Sequence, residues 1–179
     1  MRILALDCET SGLILNRILP LAKQPEVLDL YMADVDLATG EIIDDWDQLF
    51  HPTLQWSEEA EKVHGITQEM VRDCLTFDRY AEGIKKILEE RCPNVIAHNA
   101  AFDVEILDIA FERVGMHIHF PRIICSVEQT MHLKGYRLSL QELHETLFGA
   151  KFKEAHRAKS DTQALIRCAV KLYQEGVLS

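Results

Sequence analysis

A few side chains in this 179-residue sequence combine residue type and spacing in a way that could do chemistry. Asp7 and Glu9 stand two apart after the apolar run Ile3 to Leu6, so a strand would put both carboxylates on one face. Two anions side by side at the end of a buried strand repel each other and call for a compensating charge. Gly12 then lets the backbone turn sharply out of the strand. Asp103 shares a helical face with Leu107, Ala110 and Val114, and Asp161 shares one with Leu165, Cys168 and Leu172. An unpaired carboxylate on an apolar stripe is costly. His156 lies five residues before Asp161. Taken singly, the strand-end acids read as solvated, Asp103 as an ordinary helix-start acid and His156 as a loop histidine. Taken together they supply oxygen ligands for hard divalent cations, Mg²⁺ or Mn²⁺, and one imidazole whose class titrates near neutrality. That is the equipment for two-metal phosphoryl chemistry.

The elements that would position these groups can be read in order. Val27 to Val35 reads as a strand covered on both faces, and Asp36 to Gly40 as a turn leading to a returning strand, Glu41 to Phe50. With the Asp7 strand these make an antiparallel meander. The segment Leu13 to Glu26 is a loop with Pro20 and Pro25. Ser57 is a helix N-cap followed by acids that favour a helix start, and a short helix follows His64 to Thr67. Phe77 to Arg91 reads as one helix, Asn94 to His98 as a short buried strand and Ala100 to Gly115 as a helix. The alternation around His117 and His119 reads as a half-exposed strand edge rather than a zinc pair. Arg122 to Cys125 is another short strand. Ser139 to Glu142 is a capping box opening a helix that ends at Gly149, and Arg157 to Glu175 is the last helix. Strands first, then alternating helix and strand, predict an α/β fold with a mixed β-sheet flanked by α-helices.

Length predicts one domain over residues 1–179. A hydrophobic content of 47% and a charged content of 27% are ordinary for a globular protein. The net charge of −10 argues against coating nucleic acid through bulk charge, although the carboxylates of a metal site would contribute to that count. The five cysteines are scattered without a Cys-x-x-Cys pair, unlike a zinc site or a disulfide framework. The few apolar residues before Asp7 make neither a signal peptide nor a membrane span. A reducing, cytoplasmic compartment is the expectation.

Three motifs then carry a resemblance. Asp7-Cys8-Glu9-Thr10-Ser11-Gly12, His98-Asn99-Ala100-Ala101-Phe102-Asp103 and His156-Arg157-Ala158-Lys159-Ser160-Asp161 resemble, in order and spacing, the motifs of DEDDh-type 3′→5′ exonucleases of the ribonuclease H-like superfamily. The pattern is similar to that of the proofreading (epsilon) subunit of bacterial replicative polymerases. His64-Gly65-Ile66-Thr67 resembles a substrate-side segment of these enzymes. The sister class has a tyrosine four residues before the last Asp, where this chain has Arg157. The resemblance implies a ribonuclease H-like fold and release of nucleoside 5′-monophosphates from 3′-hydroxyl ends of single-stranded or frayed DNA.

It further implies that Asp7, Glu9 and Asp161 hold the metal on the nucleophile side. Asp7 would bridge to the second ion, and Asp103 would bind directly or through water. His156 would take the proton of the attacking water. Thr10, Leu13, His64, Asn99 and Phe102 would line the terminal-nucleotide pocket. The chain departs from the family in its long 13–26 loop and in Asp29, where Glu-Ile-Gly is common. RNA is the alternative substrate, as in oligoribonuclease or ribonuclease T, and a non-catalytic binding or scaffolding module is the alternative outside the class. A homodimer or a polymerase complex are the expected assemblies, away from any membrane. Lys134, Arg137, Lys151, Lys153, Arg157 and Lys159 make a basic rim that either guides a phosphate backbone or is simply a solvated mixed surface.

Overall fold

A computed structural model describes residues 1–153 and 155–178; Glu154 and Ser179 lie outside it. The sheet has five strands in the order β3-β2-β1-β4-β5. They are β1 (Arg2–Thr10), β2 (Val27–Asp36), β3 (Glu41–Leu49), β4 (Asn94–Ala97) and β5 (Arg122–Cys125). β1, β2 and β3 form the expected antiparallel meander. β4 and β5 are parallel to β1, so the sheet is mixed.

The helices are α1 (Glu58–His64), α2 (Gln68–Val71), α3 (Ala81–Glu90), α4 (Ala100–Arg113), α5 (Ser126–Lys134), α6 (Leu140–Phe148) and α7 (Ala158–Gln174). Among the described residues, no helix is long and apolar enough to cross a membrane. All five cysteines are free thiols.

Strand periodicity divides the core into two layers. Leu4, Leu6 and Cys8 of β1 pack with Leu30 and Met32 of β2 against Leu107, Ala110 and Phe111 of α4 and Ile84 and Leu88 of α3. The alternate residues, Ile3 and Ala5 with Tyr31, Ala33 and Val35, pack against Leu165, Ala169 and Leu172 of α7. β2 is therefore buried on both faces, as its continuous apolar pattern requires. β3 is the exposed edge, and Glu41, Asp44, Asp45 and Asp47 along it discourage pairing with another strand.

Two expectations are corrected. The 77–91 segment is not one helix: a 3-10 turn spans Phe77–Arg79, and α3 starts only at Ala81. Tyr80 sits between them at φ −113°, and its ring packs edge-on against Trp46 and Phe50. Phe77 packs in turn against Phe50 and Phe111. Aromatic packing here overrides helix continuity. The His117–His119 stretch is not a strand edge either. Lys85 donates to the His117 carbonyl, and the His119 N–H donates to Glu89 Oε1, so α3 side chains replace a neighbouring strand.

Candidate active site

The acids meet where the sheet opens. β4 pairs with β1 only at Leu4 and Ala5, so beyond that point one side of β1 has no strand beside it. A cleft at the carboxyl end of such strands is where open α/β sheets bind ligands. On the α7 side of β1 the sequence runs Ile3, Ala5, Asp7, Glu9, so the face that begins as core ends as two carboxylates. α7 crosses this face and carries Asp161 in its first turn, where the helix dipole favours a negative charge. One carboxylate oxygen from each of Asp7, Glu9 and Asp161 lies within 4.8 Å of the others.

Asp103 reaches the cleft from the other layer, in the first turn of α4. It is only 3% exposed, and its Oδ1 accepts the Cys8 N–H at 3.1 Å. That N–H is free to turn toward the helix because β4 has already parted from β1. Asp103 lies outside the tight three-acid group yet close enough that, after burial, it is the largest influence raising Asp7.

The electrostatics of the site are unfavourable as it stands. Burial, then Asp103, Glu9 and Asp161, push the Asp7 carboxyl well above its usual value. Glu9 is pushed up to about 8 by burial and then by Asp161 and Asp29. Burial raises Asp103 to about 7 against the pull of the Cys8 N–H, and burial also raises Asp161. Asp161 Oδ2 accepts the His156 N–H at 2.9 Å, whereas its Oδ1 is buried without a partner among the described residues. An orphaned carboxylate oxygen beside two more carboxylates fits a hard divalent cation.

Raised carboxylates give a testable pH dependence. Their contribution to stability is complete below the unfolded value near 4 and is lost as pH rises through the folded values. His64 and His98 are depressed by burial and act in the opposite sense, but their contribution is complete above the ordinary imidazole value of about 6.5. The metal-free protein should therefore melt at progressively lower temperature between about pH 6.5 and 8, and excess Mg²⁺ should remove the trend. A melting temperature in EDTA that holds or rises across that window would contradict the account.

His156 is exposed beside this cluster, in a left-handed conformation with φ +68°. The remaining expected residues surround the acids in different ways. Thr10 is buried, and its Oγ1 donates to the Gly12 carbonyl at 2.8 Å. Leu13 is 81% exposed and lines an open groove with Phe102, Ala101 and the 14–17 segment. His64 is buried; its Nδ1 accepts the Ile66 N–H at 2.9 Å, which leaves the ring proton on a buried, unpartnered Nε2. Asn99 is also left-handed, at φ 67°, and its Oδ1 accepts from Arg137 at 2.7 Å.

Other groups emerge only from the fold. His98, from the second motif, is a structural joint: its ring bonds Ser126 Oγ at 2.8 Å and the Leu138 carbonyl at 3.1 Å. Burial holds its pKa down at about 4. The basic rim is partly spoken for, since Arg157 pairs with Asp29 and Lys159 with Asp47. Asp29 itself stands opposite Glu9 in the β1–β2 register.

The family model described as an exonuclease, RNase_T, matches residues 4–169. This chain belongs to that family. Its motif residues are those of the DEDDh type of 3′→5′ exonuclease. PolC-type DNA polymerase III from Staphylococcus aureus is 28% identical over 97% of this chain, and that from Staphylococcus epidermidis is 26% identical over 94%. The exonuclease chain spans only 12% and 11% of those relatives' lengths.

Among solved structures, the nuclease domain of 3′hExo, a DEDDh family member bound to rAMP, superposes with a TM-score of 0.77 at 19% identity. It covers 98% of this chain and 92% of that one. Exonuclease X in complex with 5′ overhanging duplex DNA superposes with a TM-score of 0.67 at 21% identity, covering 97% and 93%. The zinc-bound E. coli ExoI–ssDNA complex gives 0.78 at 18%, covering 97% and 40%. These likenesses place the exonuclease in the ribonuclease H-like fold.

Proposed function

We propose that this exonuclease removes single nucleotides from 3′-hydroxyl ends of single-stranded or frayed DNA, releasing nucleoside 5′-monophosphates, with two divalent ions, Mg²⁺ or Mn²⁺. The observation that carries the reading is the unpartnered, buried Asp161 Oδ1 among three converging carboxylates, with the exposed His156 tied to the same Asp161. Asp7, Glu9 and Asp161 would hold one ion, and Asp7 with Asp103 the second. Bound ions supply Lewis-acid activation of water and charge stabilisation on the scissile phosphate.

The chain's own groups do the rest. His156, exposed to solvent, takes the proton of the attacking water. Its N–H bond to Asp161 Oδ2 keeps the ring next to the acids. Leu13 and Phe102 flank the groove and stack on a terminal base whatever its identity, which gives sequence tolerance. The backbone about Thr10 holds the terminal 3′-hydroxyl, and the buried His64 and the Asn99–Arg137 pair close the pocket. The PolC-type relatives favour DNA and association with a replicative polymerase. The residues 1–179 act as one domain in this reading, and the free cysteines suit a reducing cytoplasm.

In this reading the pocket takes little beyond one nucleotide past the scissile phosphate, and a 3′-phosphate would bring further negative charge against the acids. Linear, 3′-phosphorylated and circular strands carrying an internal label, each as DNA and as RNA, should be incubated with enzyme and Mg²⁺. A one-nucleotide ladder from the linear 3′-hydroxyl DNA alone is expected. Efficient cutting of the circle would make it an endonuclease, and faster trimming of RNA would replace DNA as the substrate.

A further inference from the structure

The buried Asp29 and the half-exposed Arg157 form a clamp on the turn that carries His156. Asp29 lies in β2 directly opposite Glu9, on the same face as the metal-site acids, and is only 2% exposed. Its Oδ2 accepts from Arg157 Nε at 3.4 Å, and Arg157 and the nearby Ala158 N–H oppose the burial that raises its pKa. Its Oδ1 is buried without a partner among the described residues. Arg157 is the N-cap of α7, and its own side chain provides no capping bond. The strand acid thus bears, through Arg157, on a helix start that has no side-chain cap.

The residue before Arg157 is His156, which adopts φ +68° without being glycine. A side chain in the left-handed region persists only where its surroundings over-determine it. Two fastenings do so here: the His156 N–H to Asp161 Oδ2, and the pairing of the next residue with Asp29. We infer that Asp29 is a positioning residue for the hydrolysis, acting through Arg157 to hold the His156 turn in register with Asp161. This rests on the exonuclease reading for its kinetic consequence and on the geometry alone for its structural one.

The competing role for Asp29 is a negative charge that merely tunes ion affinity at Glu9. The variants Asp29→Asn and Arg157→Ala, and the double variant, separate the two. With saturating Mg²⁺ and a linear oligonucleotide, each single change should lower kcat about 10- to 100-fold, the usual effect of losing an outer-shell partner. KM should hold within about twofold, and the double variant should be no worse than the worse single one, because both changes break one contact.

Losses that multiply, losses carried by KM, or activity restored by raising Mg²⁺ would each overturn the clamp. Amide exchange supplies a readout independent of turnover. The His156 N–H, bonded to Asp161 Oδ2, and the Asp161 N–H, bonded to the Arg157 carbonyl, should exchange faster in both variants than any fall in melting temperature accounts for. Unaltered exchange refutes the clamp even if activity falls. A wild-type enzyme inert on every oligonucleotide refutes the exonuclease reading and leaves the exchange test standing.

Discussion

Asp7→Ala is expected to abolish turnover while leaving the fold intact. Asp7 is the member of the cluster shared by both proposed ion positions: it lies within 4.8 Å of Glu9 and Asp161 oxygens, and Asp103 bears on it from the other layer. Lewis-acid stabilisation contributes several kcal/mol to such reactions, so losing the bridging ligand should lower the rate by about three orders of magnitude or more. The metal-free variant should be at least as stable as wild type, because one of several mutually repelling anions has gone. Asp103→Ala and Asp161→Ala should behave alike in turnover. Steady-state assays with Mg²⁺, paired with thermal melts in EDTA, check both halves. Substantial Mg²⁺-dependent activity in any of the three variants would sink the assignment.

The second large effect concerns His156. A positioned general base is worth about two to four orders of magnitude, so His156→Ala should lose that much in kcat. Its imidazole must be neutral to accept a proton, so the wild-type rate should rise with pH through the neutral range, and the alanine variant should lose that rise. The side chain is exposed and the backbone already sits in the left-handed region, so the substitution removes no core contact. Near wild-type rates for His156→Ala at neutral pH would take the residue out of the mechanism.

Much of the site was legible because the acids obey simple periods. Asp7 and Glu9 share a strand face by alternation, and Asp103 and Asp161 interrupt apolar helix stripes. Asp29 was visible only as a departure inside an apolar strand. Its role depends on the register that sets it opposite Glu9 and on a helix start far along the chain, neither of which local pattern encodes. The helix Ser126–Lys134 escaped the periodic reading because its buried positions are largely short and polar, Ser126 and Thr130 with Val127, so the apolar stripe is missing. Thr130 Oγ1 instead bonds back to the Ser126 carbonyl. Tyr80 broke a helix that spacing alone predicts, through aromatic packing on Trp46 of β3 and on Phe50. For Asp29 and Tyr80 the deciding contact is tertiary.

The placement of the acids has a consequence for biosynthesis. Asp7 and Glu9 belong to the first strand, Asp161 to the last helix, and the core face beneath them is completed only by Leu165, Ala169 and Leu172 of that helix. Closing so long a stretch of chain is entropically costly and comes after local structure has formed. A nascent or partly folded chain that has made the sheet but not docked α7 therefore lacks one of the three converging carboxylates and the histidine with it. In the proposed reading, hydrolytic capacity therefore waits on the docking of α7 and not on formation of the sheet.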